Sequence, residues 1–487
     1  MNQLQTPLFD TLERFYQQNT VSYHVPGHKS GQVFLEKGKD LYRSLLQIDV
    51  TELTGLDDLH APVGPIREAE ILLAELYGVK YSYFLVNGTT VGILAMILAT
   101  CNERDRVLVQ RNCHKSVLHA LMLANVEPIF LAPTVLEDWS VAGGVDGKLV
   151  SEALEKYPDT KAIILTYPNY YGHAQDLSDI VALAHEKGIP VLVDEAHGAH
   201  FTLGHPFPES SITKGADIVV HSAHKTLPAM TMGSFLHINS SIVDVERVEF
   251  YLQMLQSSSP SYPIIASLDL ARAYLASYSK QDLKFLIDEI NRFKEALSAI
   301  PEIKVLNKVP KSVKQDPLKL NIQSTCGLSG YKLQSLLEKK GIFTELADTR
   351  NILFVLPLLK NSEKYPFGET ADKIRTAVRG QSGPYVDFSN FQWMELEKIS
   401  TLAFSYAKMK QATKEQVHFD EAIGKIAGEM IIPYPPGIPL IVAGEQISAK
   451  KMIILQQLLD QHARFHGGTG LAQRKVDIFN EDIFSDF

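Results

Sequence analysis

The chain has few cysteines and no pattern that would use them in pairs. Cys101, Cys113 and Cys326 are the only three cysteines in 487 residues, and no two of them form a CxxC motif. An odd and sparse set supports neither a disulfide framework nor a thiolate metal site. We therefore expect a protein of a reducing compartment that has no metal centre.

Long apolar segments and basic stripes are also missing. No stretch approaches the roughly 18 uncharged apolar residues of a membrane-spanning helix, and residues 1–7 show no basic region followed by an apolar core. The 47 basic and 56 acidic residues give a formal charge of -9, which disfavours nucleic acid and anionic membranes as partners. These absences predict a cytoplasmic protein.

What the chain does contain is the composition of a large folded enzyme, with 45% hydrophobic and 21% charged residues. Short apolar runs alternate with amphipathic segments from about residue 78 to residue 238, which predicts an α/β fold with a mainly parallel sheet. A second, smaller α/β unit follows, and the polar stretch 360–390 is the predicted linker. We predict an arm over 1–60, a large domain over 61–275, a small α/β domain over 276–385 and a C-terminal domain over 386–487.

One lysine follows a buried strand in a setting that solubility does not explain. Lys225 stands in the segment His221–Thr226 (HSAHKT), directly after the apolar run Ile218–Val220. An amine flanked there by hydroxyls and imidazoles is suited to form a Schiff base with pyridoxal 5′-phosphate. Taken alone, the segment is also compatible with a surface lysine after an ordinary strand.

Asp194 ends a second apolar run, Val191–Val193. A buried carboxylate is costly without a cationic partner, and a protonated pyridine nitrogen would be one. The pairing keeps the cofactor ring cationic, so the ring can accept the electron pair of a broken bond at the substrate Cα. Small Ala196 leaves room for a flat ring. A helix cap or a strand-end turn is the alternative explanation of Asp194.

A phosphate-binding turn is predicted at Asn87–Thr90, between a strand and a helix. Gly88 permits close approach of the backbone, while Thr89, Thr90 and the helix start supply donors to an anion. An ordinary helix cap would use the same residues. Ser222 and His224 could complete the phosphate site, and His114 follows another strand, where it could stack on the ring or be merely structural.

These motifs occur together and in the same order in a known family. The chain resembles the bacterial ornithine/lysine/arginine decarboxylases, pyridoxal-phosphate enzymes of the aspartate aminotransferase fold (fold type I, with a seven-stranded type of sheet). The matching segments are HVPGHK at 24–29, DDLH at 57–60, GPI at 64–66, NGTT at 87–90, CHKS at 113–116, DEAHGAH at 194–200, SAHK at 222–225, SSSPSY at 257–262 and YPPGIP at 434–439.

The resemblance implies roles for individual residues. Lys225 would carry the Schiff base, Asp194 would hold the pyridine nitrogen and His114 would stack on the ring. The other implied cofactor-binding residues are Gly88, Thr89, Thr90, Ala196, His197, Ser222 and His224, together with Ser257 and Ser258, which would reach the neighbouring subunit's site in a homodimer. Because the first motif comes so early, we expect the short form of the family, without its N-terminal wing domain.

One departure from the family pattern lies at residue 169. Tyr167–Gly172 reads YPNYYG, where close relatives commonly have Asn-Pro-Thr-Tyr-Tyr-Gly. Asn169 therefore replaces the threonine expected near the cofactor's ring hydroxyl. An asparagine amide can still donate a hydrogen bond, so we expect altered tuning of the cofactor and not its loss.

The predicted reaction is decarboxylation of a basic L-amino acid, with arginine favoured over lysine or ornithine by similarity to short family members. A cationic substrate side chain needs an anionic pocket, for which Glu345 and Asp348 are candidates, with Glu445, Asp57 and Asp58 behind them. Each is equally explained as a solvated carboxylate.

Two other functions stay open. The first is an aminotransferase-like enzyme, which would need a carboxylate-binding arginine, and no convincing motif surrounds Arg350, Arg375 or Arg379. The second is a catalytically silent, cofactor-binding regulatory protein, which the change at Asn169 keeps in consideration.

Overall fold

The computed structural model describes residues 2–18, 20–383, 397–433, 438–460 and 463–480. It divides into two compact units, residues 1–100 with 190–279 and residues 101–189 with 280–487. The predicted boundary at 385/386 and the motif residues 434–437 lie outside the described residues. The domain boundaries stay a prediction.

The described residues of the first unit form four strands and a larger number of helices. Its strands are Tyr81–Leu85, Val191–Asp194, Ile218–His221 and Ser234–Ile238. Its helices are Pro7–Gln17, Glu36–Ile48, Pro65–Tyr77, Gly88–Thr100, Ala223–Thr226, Val245–Leu255 and Tyr262–Ala276, with a 3-10 turn at Phe201–Leu203.

The four strands of the first unit form a mixed arrangement. Their order is Tyr81–Leu85, Ser234–Ile238, Ile218–His221, Val191–Asp194. The second strand in this order pairs antiparallel with both of its neighbours, whereas the last two strands are parallel. Parallel strands bring their carboxyl ends to the same edge of a sheet. The segments that carry Asp194 and Lys225 therefore leave the sheet at one edge.

Helix Gly88–Thr100 packs closely on these strands. Eight of its residues are buried, so it is apolar almost all round, as expected for a helix inside the core. A Cβ atom added at Gly92 would lie 2.8 Å from Leu85 and 2.9 Å from Val220. The glycine is therefore needed for the close approach that brings the start of this helix to the sheet edge.

The second unit has more strands, several of them short. They are Arg106–Gln110, Glu127–Leu131, Val135–Leu136, Val141–Ala142, Ala162–Thr166, His173–Gln175, Ile303–Val305, Val313–Gln315, Lys319–Ser324, Leu346–Ala347, Asn351–Val355, Ile399–Thr401, Lys414–His418, Ile432–Pro433, Phe465–His466 and Lys475–Phe479. Its helices are Lys115–Ala124, Gly147–Lys156, Ser178–Glu186, Lys280–Ser298, Gly330–Glu338, Phe367–Val378, Tyr406–Gln411, Phe419–Ala422 and Ala449–Asp460, with a 3-10 turn at Leu471–Gln473.

Two groups of strands in the second unit lead to predicted site residues. Ala162–Thr166, Arg106–Gln110 and Glu127–Leu131 are parallel in this order, and Ile399–Thr401 adds an antiparallel edge. A separate antiparallel sheet has the order Ile303–Val305, Lys319–Ser324, Asn351–Val355, Leu346–Ala347. The first group leads into the segment that contains His114, and the second carries Asp348 between two of its strands.

Two sequence predictions need correction. The sequence predicts one short helix in the arm, Leu8–Tyr16, followed by loops. The structure has that helix, at Pro7–Gln17, and a second one at Glu36–Ile48, whose polar composition and early Gly38 concealed it. The predicted linker 360–390 contains helix Phe367–Val378. Pro366 is its N-cap residue and Gly368 lies in its first turn, where both residue types are tolerated, so they did not mark a loop.

The C-terminal part of the second unit has a hydrophobic cluster of its own. Helix Ala449–Asp460 contributes Met452, Ile454, Leu455 and Leu458 to it, and they pack with Val476 and Ile478 of the last described strand. Among the described residues, no helix combines the length and apolar character that a membrane crossing needs.

Candidate active site

Lys225 lies on the short helix Ala223–Thr226, which follows strand Ile218–His221. The loop after Asp194 leaves the sheet at the same edge. The Lys225 side chain is half-buried, and its Nζ is 3.2 Å from Nε2 of His197. His197 belongs to the loop that follows Asp194. This contact brings together two residues that the sequence placed in one site.

A buried pair of hydroxyls joins the predicted phosphate turn to the lysine segment. Oγ1 of Thr89 and Oγ of Ser222 are 2.9 Å apart. Gly88 has φ +74°, and a Cβ added there would have no heavy atom within 4 Å, so open space lies beside the start of a helix of 13 residues. Free amides at a helix start, a left-handed glycine and hydroxyl donors are suited to hold a phosphate. Thr90 is exposed on the same turn.

His224 is held in a defined orientation beside Lys225. Its Nδ1 lies 2.9 Å from the carbonyl oxygen of Gly233, and its backbone N–H donates to the same oxygen at 3.2 Å. A carbonyl can only accept, so Nδ1 carries the hydrogen in this contact.

Asp194 is almost fully buried, with 4% of its surface exposed. Its Oδ1 accepts a hydrogen bond from the backbone N–H of Ala196 at 3.1 Å. Among the described residues, no ion pair includes this carboxylate. An anion buried in this way is stabilised by a cationic partner, and the nitrogen of a protonated pyridine ring would be one. The backbone N–H of Ser222 donates to the carbonyl of Ala196 at 3.2 Å, which links the two loops.

A second buried pair supports these two loops, and the sequence reasoning missed it. Glu195 and His221 are both fully buried, with Oε1 and Nε2 3.1 Å apart. The other oxygen of Glu195 accepts from the backbone N–H of Ser211 at 2.6 Å and from its hydroxyl. The signal was available in the sequence, since Glu195 and His221 each directly adjoin a predicted site residue.

Ser257 and Ser258 are exposed in a loop after helix Val245–Leu255. Their part of the chain is joined to the N-terminal arm, because His60 Nε2 lies 2.8 Å from the carbonyl of Ser257. The carbonyl of Asp57 accepts from the hydroxyl of Tyr262 at 2.5 Å.

The arm carboxylates are used for backbone hydrogen bonds. Asp57 Oδ2 accepts from Gly64 at 2.8 Å and from Ile66 at 3.0 Å, which caps the start of helix Pro65–Tyr77. Asp58 accepts from the backbone of His60 at 2.8 Å. These contacts explain both residues without a substrate.

In the second unit, His114 is the N-cap residue of helix Lys115–Ala124. Its Nδ1 accepts from the backbone N–H of Ser116 at 3.3 Å and lies 2.7 Å from the Ser116 hydroxyl. A ring nitrogen that accepts from the backbone places the hydrogen of the neutral imidazole on Nε2. The capping contact therefore restrains the ring relative to its own helix and selects its tautomer.

Asp348 is surrounded by donors. Its Oδ1 accepts from the backbone N–H groups of Arg350 and Asn351, both at 2.7 Å, and its Oδ2 accepts from the side chains of Asn351 at 2.8 Å and Tyr171. Burial, followed by the charge of Asp348, raises the pKa of Tyr171 well above its usual value. Asp348 is thus explained by the local fold, which weakens its case as a substrate ligand.

Glu345 and Glu445 differ sharply in their surroundings. Glu345 is exposed and lines an open cleft of about 370 Å³ in the second unit, together with Phe343 and Tyr365. Glu445 is 2% exposed, and both of its oxygens accept from Arg111, while Oε2 also accepts from Lys451 at 2.8 Å. Burial and the two ion pairs already account for the charge of Glu445, which weakens its case as a substrate ligand.

Asn169 uses its side chain inside the protein. Its Nδ2 donates to the carbonyl of Ala142 at 2.7 Å, and its Oδ1 accepts from the backbone N–H of His173 at 2.8 Å. Its amide N–H groups also face Nδ1 of His173 at 3.1 Å. Burial lowers the pKa of His173 to about 3, so the ring is neutral and Nδ1 can accept. These bonds account for the asparagine without a cofactor.

Comparison with known proteins gives a consistent picture. Residues 6–316 match the family model described as Orn/Lys/Arg decarboxylase, major domain, and residues 389–467 match the model of the C-terminal domain of the same family. The chain is 47% identical to the uncharacterized protein YaaO of Bacillus subtilis, over 98% of this chain and 99% of that protein.

Two further relatives have names that describe an activity. An arginine decarboxylase of Bacillus subtilis is 33% identical, over 94% of this chain and 95% of that protein. The solved structure of lysine decarboxylase A from Pseudomonas aeruginosa superimposes with a TM-score of 0.82 at 20% identity, covering 98% of this chain and 81% of that one. At this identity the likeness concerns the fold, and it confirms the predicted fold class.

Proposed function

Because this chain belongs to the Orn/Lys/Arg decarboxylase family, we propose that it removes the α-carboxylate of a basic L-amino acid with pyridoxal 5′-phosphate as cofactor. The observation that carries the proposal is the contact between Lys225 and His197, at the sheet edge where the buried Asp194 also ends its strand. An amine and a buried carboxylate at one edge are the two groups that this cofactor needs.

The residues of the first unit fit the three ends of the cofactor. The Gly88 turn, with Thr89 and Ser222, would hold the phosphate, and Lys225 would bind the aldehyde carbon covalently. Asp194 would keep the ring nitrogen protonated. When bound, the cofactor supplies the electron sink for the bond that loses carbon dioxide.

The protein's own contribution is mainly electrostatic and geometric. Asp194 is oriented by the Ala196 N–H before any ligand arrives, so its charge acts without reorganisation. The hydrogen bond from the Ser222 N–H to the Ala196 carbonyl holds the loop that follows Asp194 against the segment that carries Lys225. His114, oriented by Ser116, is proposed to stack on the ring.

For the substrate we propose arginine first and lysine or ornithine second. Support comes from the relative of similar length named arginine decarboxylase, which is 33% identical. Glu345 is the remaining candidate for the substrate cation, because Asp348 and Glu445 are occupied by neighbouring donors. Its exposure leaves its oxygens accessible.

A homodimer with shared sites is part of the proposal. Val21, Tyr23 and Leu41 of the arm and Val63 just after it are each more than three-quarters exposed, and we propose that the partner subunit covers them. The Ser257 segment, joined to this arm through His60, would reach the partner's site.

Shared sites can be tested by mixing two inactive variants, Lys225→Ala and Ser257→Trp/Ser258→Trp. If each site takes Lys225 from one subunit and the serine segment from the other, random re-pairing restores roughly a quarter of the wild-type activity. No recovery after verified subunit exchange would refute the shared site while leaving the reaction untouched.

The reaction itself is tested by carbon dioxide release from arginine, lysine and ornithine in parallel, with keto-acid formation measured in the same samples. We expect release from one of the three, loss of it in Lys225→Ala, and no loss in the control Lys311→Ala, which changes an exposed lysine. Keto acid without carbon dioxide would indicate an aminotransferase. Cofactor binding with neither product would indicate a regulatory protein.

A further inference from the structure

Three charged side chains form a buried cluster in the second unit. Glu445 Oε2 accepts from Arg111 Nη2 at 2.9 Å and from Lys451 Nζ at 2.8 Å, while Oε1 accepts from Arg111 Nη1. The guanidinium also donates to the carbonyl of Leu440 at 3.2 Å and to the hydroxyl of Ser400 at 3.3 Å. The backbone N–H of Val442 also donates to Glu445 Oε2, at 3.1 Å. With these donor-acceptor pairs and almost no exposure, the cluster has one defined geometry.

The charges in this cluster are strongly coupled. Burial alone would raise the pKa of Glu445, but the charges of Arg111 and then Lys451 outweigh it and lower the pKa to about 2. The carboxylate is therefore ionised at neutral pH. A bidentate contact between a carboxylate and a guanidinium fixes direction as well as distance, so movement of Glu445 is transmitted to Arg111.

Arg111 lies at the start of the segment that leads to His114. It follows strand Arg106–Gln110 directly, and its backbone N–H donates to the carbonyl of Leu131 at 2.9 Å. The next residue, Asn112, donates from its side chain to the carbonyl of Gly143 at 3.0 Å. At the other end His114 caps its helix. The four residues are thus held at both ends, and the Arg111 side chain is the anchor at the first.

We propose that Arg111 and Glu445 are positioning residues for His114, through which the C-terminal part of the chain sets the orientation of that imidazole. The inference rests on the proposed function, in which His114 stacks on the cofactor ring. Under this proposal Glu445 orients His114 through Arg111. Its charge alone had suggested that it binds the substrate cation. Neither Arg111 nor Glu445 needs to touch the cofactor or the substrate for this role.

The first test compares Glu445→Gln and Arg111→Lys with a control on the same part of the chain. Glu429→Gln is that control, because Glu429 also orders the backbone there, accepting from Gly468 at 2.9 Å and Asp477 at 3.0 Å. A displacement of about 1 Å in an active site can cost roughly 100-fold in rate. We expect kcat to fall by about 10- to 100-fold in both cluster variants with KM little changed, and neither constant to change in the control.

Two spectroscopic readouts separate positioning from general loss of structure. Heteronuclear NMR of the cofactor-free protein reports the His114 ring, whose signals are assigned by their absence in His114→Gln. Visible circular dichroism reports the asymmetry around the bound cofactor. We expect both to change in Glu445→Gln and neither in Glu429→Gln, even when the two variants melt at the same temperature.

The outcomes are decisive for each variant. Arg111→Lys leaves the net charge of the cluster unchanged and removes the bidentate guanidinium contact, so it remains informative should Glu445→Gln fail to fold. Unchanged His114 signals and kcat in a folded cluster variant would overturn the proposal, as would equal losses in the control. If the wild type releases no carbon dioxide from any basic amino acid, the proposed function fails, and the NMR comparison still decides whether this pair orients His114.

Discussion

The hydroxyls of Thr89 and Ser222 are 2.9 Å apart although 133 positions separate the two residues. Each hydroxyl has one hydrogen to donate, and only one of the two is used in the bond between them. The second hydrogen remains for an anion, at the start of helix Gly88–Thr100, where the backbone also favours negative charge. These features support the proposed phosphate site, which would be formed before the ligand binds.

Removal of both hydroxyls should weaken cofactor binding more than it weakens the fold. In either single variant the remaining hydroxyl can still donate to the anion, whereas the double variant Thr89→Val/Ser222→Ala leaves neither donor. A hydrogen bond to a charged group contributes about 1.5–3 kcal/mol, so the double variant should raise the dissociation constant roughly 10- to 100-fold. Fluorescence titration of the cofactor-free protein measures it. Thr160→Val is the matched control, since Thr160 is buried and donates to Tyr157 in the other unit. Equal affinity in the double variant and wild type would exclude the phosphate site.

Asp194→Asn should show how much the negative charge of Asp194 contributes to turnover, because the substitution removes the charge and keeps the shape of the side chain. The amide is isosteric and can still accept from Ala196, but it cannot hold a protonated ring nitrogen. Loss of a pre-oriented charge of this kind costs roughly 10²- to 10³-fold in turnover, and we expect kcat for carbon dioxide release to fall in that range.

The absorbance of the bound cofactor should shift in the same variant, because it depends on ring protonation. Asp217→Asn is the control: Asp217 is also buried, and it accepts from the backbone of Val191 at 2.8 Å and from Ser240 at 2.5 Å. We expect this control to melt at a lower temperature with an unchanged cofactor spectrum. An unshifted spectrum in Asp194→Asn would argue against its contact with the ring.

The parts of the site that could be predicted from the sequence are those that follow buried strands. Apolar runs before Asp194 and Lys225 predicted strands that the structure places at Val191–Asp194 and Ile218–His221, within one residue of the prediction. The spacing of apolar residues along a strand and the residue types at its end can both be read from a short stretch of sequence. The predicted turn Asn87–Thr90 places the helix start near Val91, whereas the helix begins at Gly88, because a glycine and two threonines do not distinguish a helical residue from a turn residue.

The parts that could not be predicted depend on partners far away in the chain. Glu445 was proposed for the substrate from its charge, but its partner Arg111 is 334 positions away, and no local pattern records that pairing. Strand Ser234–Ile238 was not predicted, and its insertion between Tyr81–Leu85 and Ile218–His221 makes part of the sheet antiparallel. Pairing order and ion-pair partners are set by tertiary packing, which periodicity does not report.

Glu70 should make stability depend on pH in the neutral range. It is buried on helix Pro65–Tyr77, and burial raises its pKa to about 8, despite a hydrogen bond from the Phe84 N–H and the charge of Arg67. In the unfolded chain the carboxyl has its ordinary pKa of 4.5. Its neutral form therefore stabilises the fold fully below about pH 4.5, and this stability is lost as pH rises toward 8.

Glu70→Gln removes this dependence. The amide keeps an acceptor for Phe84 and remains neutral, so the variant should be more stable than wild type at pH 8, by a few kcal/mol at most. At pH 4 the two proteins should be equally stable. Urea unfolding at both pH values measures the difference. A wild-type advantage at pH 8 would mean that Glu70 is ionised and paired in the folded protein.

Asn169→Thr restores the residue that the family pattern has at this position, and we expect it to destabilise this chain. Asn169 bridges two strands, donating to the carbonyl of Ala142 and accepting from the backbone of His173. A threonine hydroxyl is too short to reach both groups, so one buried polar group loses its partner, at about 1–3 kcal/mol. Thermal unfolding measures the loss, with Asn102→Thr, at a turn residue that is exposed, as the control. If Asn169→Thr is as stable as wild type and binds the cofactor more tightly, the asparagine acts on the cofactor and not on the strands.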